Sequence, residues 1–251
     1  MAKQNRNFKY YIAELIILVL GISLSFVLNE YRQQQRDMKL ESELLHQFRD
    51  NLILDSLMLS GQSKSLEMRT EHARYLLNLK EGDEYRDSVG LGLVFLMNYG
   101  GFYASDITYQ EMRSLGNSRL IKNKTLLNEI IQLYEMDYDI VEEWASADRS
   151  FLLDELLPYM NRNLPFARML NFSSLNNTKR RDLMRVLVKD ETRYLIQYSE
   201  IMKLGNKAVF DNALNEVRRI IGMINDELED ESTLLEDSQK ADSLARAVEG
   251  A

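Results

Sequence analysis

Tyr11 to Leu28 reads YIAELIILVLGISLSFVL, an apolar run in which Glu14 is the single charged side chain. Eighteen residues of helix at 1.5 Å each reach about 27 Å, close to the hydrocarbon thickness of about 30 Å. Tyr10, Tyr11 and Tyr31 flank the run, where amphipathic rings favour the headgroup layer. A buried core helix would share this composition, but an all-round apolar helix directly behind a short basic terminus argues against it. A cleaved signal peptide is the other alternative, since Ser23 and Ser25 form a small-x-small pair. The apolar run nevertheless continues through Phe26, Val27 and Leu28, and no turn signal follows. The stretch therefore predicts an uncleaved helix that crosses a lipid bilayer once.

Charge on the two sides of this helix bears on its orientation. Lys3, Arg6 and Lys9 precede it without an acid among them, while Arg32, Arg36 and Lys39 follow it mixed with Glu30 and Asp37. Counted as Lys and Arg alone, the sides nearly tie. A short positive terminus that stays in the cytoplasm is the commoner outcome, and it places the rest of the chain on the far side. Within the anchor, Glu14, Leu18, Gly21, Ser25 and Leu28 are spaced 4, 3, 4 and 3 and share one face. Gly21 and Ser25 make a small-xxx-small pair of the kind that lets two helices approach closely. Glu14 lies one turn inside, where two readings stand side by side: a carboxylate in a helix–helix contact, or an interfacial side chain that snorkels to water. Glu14, Gly21 and Ser25 are the expected association face.

The rest of the chain reads as helix. Only 2 prolines and 11 glycines punctuate 251 residues, which favours long helices over a many-turned β architecture. With no cysteine, disulfides, thiolate metal sites and thiol nucleophiles are excluded. Leu40, Leu44, Phe48, Leu52, Asp55 and Leu59 form an amphipathic stripe that predicts a stalk continuous with the anchor. Residues 60–65 weaken it, and Glu81-Gly82-Asp83 ends the region. Val89 to Met97 is too short to span a bilayer and reads as a packed core helix. Thr108 and Glu111 have capping-box spacing, Gly116 suits a helix exit, and Asn123 a helix start. Leu127, Ile131, Tyr134, Tyr138, Val141 and Ala145 then repeat at helical spacing, resuming at Leu152, Leu156 and Tyr159. Pro165 marks a loop. Another region starts near Lys179, and Phe210, Leu214, Val217, Ile221, Ile224 and Leu228 give a heptad stripe. Gly205-Asn206 fits a kink or a turn. Sustained stripes of this kind predict an antiparallel helical bundle or coiled coil.

The formal charge of −8 is concentrated at the C-terminus. Residues 225–251 hold acids such as Asp226, Glu227, Glu229, Asp230 and Glu231 against Lys240 and Arg246, which reads as a solvated, flexible tail or an acidic docking segment. The expected layout is a basic cytoplasmic tail (1–9), a transmembrane helix (10–29), an amphipathic stalk (30–80), a helical domain (87–228) and the acidic tail (229–251). An acidic chain suits nucleic acid poorly, although Arg113, Arg119, Lys122 and Lys124 surround a loose helix-turn-helix spacing.

Two stretches resemble a family of single-pass membrane proteins from Bacteroidota that has no assigned activity. One runs from Tyr10 to Tyr31, with Glu14, Gly21, Asn29 and Tyr31; the other is Leu115-Gly116-Asn117, Leu120-Ile121-Lys122-Asn123 and Leu126. Ala13 and Tyr31 stand where that family carries glycine and tryptophan. The resemblance implies a membrane anchor with a helical domain in a bacterium, and with the short positive terminus kept in the cytoplasm it places the domain in the periplasm, anchored in the inner membrane.

No catalytic, cofactor-binding or metal constellation is expected. Glu43 and His46 supply one Glu-x-x-His, but His72 has Arg69 where the second glutamate would stand. Neither histidine has a nucleophile partner in sequence. Trp144 and the helically spaced tyrosines read as core rather than as a ligand cage. The expected function is therefore a non-enzymatic, membrane-anchored interaction or scaffold protein that self-associates or joins a membrane complex. The alternative is a ligand-sensing helical bundle that acts through a partner.

Overall fold

The computed structural model describes the backbone of residues 4–164 and 175–249, and the side chains of residues 11–164 and 175–230. The described residues are all-helical, without a strand. The expected loop at Pro165 and the side chains from 231 onward lie outside this description.

Helix α1, Gln4–Leu77, is a single element of 74 residues. Its apolar segment is long and apolar enough to cross a membrane, and none of that segment is buried by protein. Farther on, a different face is covered. Met38, Leu45, Leu52, Leu59, Leu66 and Ala73 are buried, and so are Glu41, Phe48, Asp55, Arg69 and Leu76. The first series advances by sevens, and so does the second apart from the half-buried Gln62 between Asp55 and Arg69, so a seam stays on one side of the helix from Met38 to Leu76. The expected stripe is one step off at its start: Leu40 is 48% exposed while Leu45 is fully buried. The serine- and glycine-containing 60–65 segment does not break the helix either. Gly61 costs roughly 1 kcal/mol of helix propensity, which the flanking buried Leu59 and Leu66 outweigh at about 1.5–3 kcal/mol each.

Helix α1 ends at Leu77, and the chain reverses through Gly82, whose φ of 92° is open to glycine at no steric cost. Helix α2 (Asp87–Leu96) packs on α1, as its compact apolar sequence predicts. Helix α3 (Ile107–Leu115) leaves through Gly116, which is left-handed at φ 66°. The expected capping box is a correction. The Ncap is Asp106, without a side-chain cap, and Thr108 lies inside the helix, buried, with its hydroxyl accepting from Asn51 Nδ2 of α1 at 2.8 Å. The inter-helix bond takes the hydroxyl that local capping would use. Asn123 does cap α4 (Lys124–Gln132), its side chain accepting from Leu126 N at 3.1 Å.

Helices α4, α5 (Tyr138–Phe151) and α6 (Leu157–Asn163) form one path joined by two π turns, Leu133–Asp137 and Leu152–Leu156. Each wide turn inserts a residue into the helical repeat. Ile130 before the first and Leu133 at its start are buried while Ile131 is 36% exposed, so the even stripe expected through Ile131 shifts. Helix α7 (Asn177–Leu187) follows, and α8 (Asp190–Glu249) closes the chain. Gly205-Asn206 is not a turn between two helices, because α8 continues through it. The α8 backbone also stays helical to Glu249, into the segment read as a flexible tail. Residues 223–249 contain no proline or glycine, and their Ala, Leu, Glu and Lys favour helix.

Helices α1 and α8 run in opposite directions. Arg74 of α1 meets Glu200 of α8, whereas Ser63, earlier in α1, meets Asp211, later in α8. Two apolar clusters lie along this pair. The one nearer the apolar segment of α1 gathers Leu45, Phe48 and Leu52 with Leu126, Tyr138, Phe210 and Val217. The distal one gathers Leu76, Leu93, Leu156, Tyr159, Leu183 and Ile196.

Candidate functional site

Three places concentrate chemistry: the anchor face, a tyrosine-lined cavity, and a charged layer buried between the two apolar clusters.

In the anchor, Glu14, Gly21 and Ser25 lie on one helix, exposed to whatever surrounds it. The Ser25 hydroxyl donates to the Gly21 carbonyl oxygen at 2.8 Å, so it needs no partner from another helix. Nothing lies within 4 Å of where a Gly21 Cβ would stand, which leaves a shallow groove of bare backbone beside it. The face thus offers close approach more than hydrogen bonding.

The cavity, about 490 Å³, opens beside α3 and the first π turn. Tyr109 and Tyr134 stack with ring centroids 4.6 Å apart, and Tyr138 meets Tyr134 edge-on at 5.2 Å. The π turn places Tyr134 inward and Glu135 toward α3, where Glu135 accepts from the Tyr109 hydroxyl at 2.7 Å and pairs with Arg113. Behind the rings Asp55 is fully buried. It accepts from Ser105 N at 2.9 Å and from the Tyr138 hydroxyl at 2.8 Å. Burial pushes the Asp55 carboxyl above the usual range, partly offset by these bonds. Burial and the adjacent Glu135 push the Tyr109 phenol up to about 12. Burial and Asp55 drive Tyr134 and Tyr138 strongly upward, so both stay protonated donors. Asp106, Asp139 and Glu142 add acidic character to the rim.

The charged layer joins α1, α5 and α8. Lys203 is 1% exposed, and its Nζ reaches Asp148 Oδ1 at 3.1 Å and Ser199 Oγ at 3.0 Å. Arg69 is 4% exposed and faces the same carboxylate. Burial lowers the Lys203 ammonium below its ordinary value, against the pull of Asp148, and Arg69 adds to the lowering. Asn206 bridges to the Trp144 carbonyl at 3.3 Å. Lone charges in a heptad repeat look like solvated residues in sequence; only the seam register brings Arg69, Asp148 and Lys203 together. That each falls on a buried stripe was the one available signal.

Other candidate residues are dispersed. Glu43 pairs with Lys39 at 4.0 Å on the surface, and His72 stacks on Phe95 at 4.4 Å. Among the described residues no three His, Asp or Glu side chains converge as a metal set would. Of the cations around the helix-turn-helix-like spacing, Arg113 pairs with Glu135, Lys122 with Glu41, and Lys124 donates to the Ile121 carbonyl. Trp144 is a correction to the expected core position. It is 37% exposed and lies over Gly205 of α8, where an added Cβ would come 2.8 Å from its Cη2 and closer still to Cζ3. The glycine read as a helix breaker instead makes room for the indole.

No protein-family model, curated protein or solved structure matches the chain.

Proposed function

We propose that the chain is a single-pass membrane protein whose helical domain serves interaction or scaffolding, with association through the anchor face of Glu14, Gly21 and Ser25. The observation that carries this reading is the continuity of α1. One uninterrupted helix supplies a bare apolar segment and, farther on, a buried strip of the domain core. A rigid helix shared by bilayer and domain transmits position and orientation, which is what a scaffold needs. The domain is read as an antiparallel bundle whose spine is a coiled coil of α1 and α8, supported by the sevenfold spacing of both buried stripes. The short basic terminus is assigned to the cytoplasm and the domain to the periplasmic face of a bacterial inner membrane, because a short positive terminus that stays in the cytoplasm is the commoner outcome. No reaction is assigned to it.

Association is tested by cross-linking the full chain in membranes. With no native cysteine, a single cysteine at Leu28, on the same face, gives a clean disulfide readout. Gly21→Leu fills the groove and should lower the cross-linked fraction at least about threefold, given the ~1 kcal/mol scale of such packing effects. An unchanged fraction rejects this face.

The tyrosine cavity favours a second reading, ligand sensing. Its volume falls within the usual 300–1,000 Å³ of small-molecule sites, and π turns recur at functional sites. A ligand that fills it should raise the melting temperature of the full chain and lose that effect in Tyr109→Ala.

A further inference from the structure

The walls of the tyrosine cavity discriminate between ligand chemistries. Most of its side-chain donors are spent within the protein. The Tyr109 hydroxyl donates to Glu135, Tyr134 to the Ser105 carbonyl oxygen, Tyr138 to Asp55, and the Gln110 amide to Asp106 at 3.3 Å. Arg113, the one cation in the lining, pairs with Glu135. An anion entering here would have to break that pair before it met a positive charge. Negative charge, by contrast, is in surplus. The lining holds four carboxylates, Asp106, Glu135, Asp139 and Glu142, against the single guanidinium. Asp139 and Glu142 join no ion pair among the described residues, and at i and i+3 of α5 they lie on one face of the helix. The aromatic walls also differ among themselves. Tyr109, Tyr134 and Tyr138 are buried and pack on one another, whereas Tyr103 is 79% exposed and leaves a ring face open. Unpaired carboxylates and an open ring face in one concavity both attract a cation, the first by charge and the second by its quadrupole.

We propose, resting on the sensing reading of this cavity, that its ligand is an organic cation, an alkylammonium compound attracted by the carboxylates of Asp139 and Glu142 and by the ring of Tyr103. At about 490 Å³ the cavity has room for a small organic molecule around the charged group, not for the ammonium alone. The buried tyrosines shape the floor, and Tyr103 with the two carboxylates sets the preference for positive charge.

Three probes of similar shape separate charge from fit: choline, its uncharged carbon isostere 3,3-dimethylbutan-1-ol, and the anion 3,3-dimethylbutyrate. Each is titrated into the full chain in a non-ionic detergent at constant ionic strength while thermal unfolding is followed. Choline should raise the melting temperature saturably, on the order of 3 °C once it exceeds its dissociation constant about tenfold, and the other two should not. Tyr103→Phe keeps the ring and should keep the response. Tyr103→Ala should raise the choline dissociation constant about fivefold, and so should Asp139→Asn combined with Glu142→Gln. All three positions are exposed, so these variants leave the core intact. An equal response to the alcohol or the anion, lost in Tyr109→Ala, would overturn the cation and leave a ligand site. A choline response unchanged in the Tyr103→Ala and carboxylate variants would overturn it too. Silence of all three probes would overturn the cation, and the sensing reading falls with it only if a mixed small-molecule library is silent as well.

Discussion

Asp55 and Gly205 show how single residues carry the design. Asp55 organises the tyrosine cluster, and its raised pKa means that the folded chain holds the carboxyl proton more tightly than the unfolded chain does. Stability is therefore lost as pH rises from the ordinary carboxylate range through the raised value. Asp55→Asn keeps an acceptor for Ser105 N and has no proton to lose. It should gain stability relative to the wild type as pH rises through the Asp55 pKa, with the difference shrinking as pH falls back through it, as urea unfolding at several pH values would report. A difference that stays constant with pH would contradict this account of Asp55. At Gly205 two effects oppose each other. Alanine gains roughly 1 kcal/mol of helix propensity, while its Cβ collides with Trp144. Because that indole is already partly exposed, it can swing outward. Gly205→Ala should change stability by less than about 1 kcal/mol and shift the emission of the single tryptophan to the red. Unshifted emission would mean that the indole does not rest on Gly205.

At the scale of elements, long periodic helices were legible and their registers were not. The anchor, α2, the Gly116 exit and the Asn123 cap follow from local chemistry that a sequence carries in full. The stripe beginning at Leu40 could not be placed, because Leu40, Leu44 and Leu45 are all apolar and only packing chooses among them. The π turns were invisible for the same reason: an inserted residue leaves composition untouched and shows only in which side chains are buried. Thr108 was misread as a cap because a distant partner, Asn51, outcompetes the local signal, and the turn expected at Gly205-Asn206 is absent because the glycine sits under Trp144 within α8. The register makes a direct prediction. Leu45→Ala removes a fully buried side chain and should cost about 2–5 kcal/mol, whereas Leu40→Ala should stay within roughly 0.5 kcal/mol. Chemical denaturation of the two variants measures this, and equal costs would place the seam elsewhere.

For the whole molecule, the proposed anchor face of Glu14, Gly21 and Ser25 rests on sequence spacing, while the tyrosine cavity and the charged layer could not be read there. Their residues come from helices far apart in the chain, and nothing in the sequence aligns Arg69 with Asp148 and Lys203. The central claim concerns α1 as one helix that crosses a bilayer and carries the domain on a single side. Cysteine labelling tests it most directly, since the native chain has no cysteine. Asn5→Cys and Asp226→Cys, placed on opposite sides of the apolar segment, are each exposed to a membrane-impermeant maleimide in intact bacterial spheroplasts and again after lysis. The account predicts that Asp226→Cys labels in intact cells, that Asn5→Cys labels only after lysis, and that both chains stay in the membrane pellet through carbonate washing. Labelling of both positions from the same side, or release by carbonate, would contradict it.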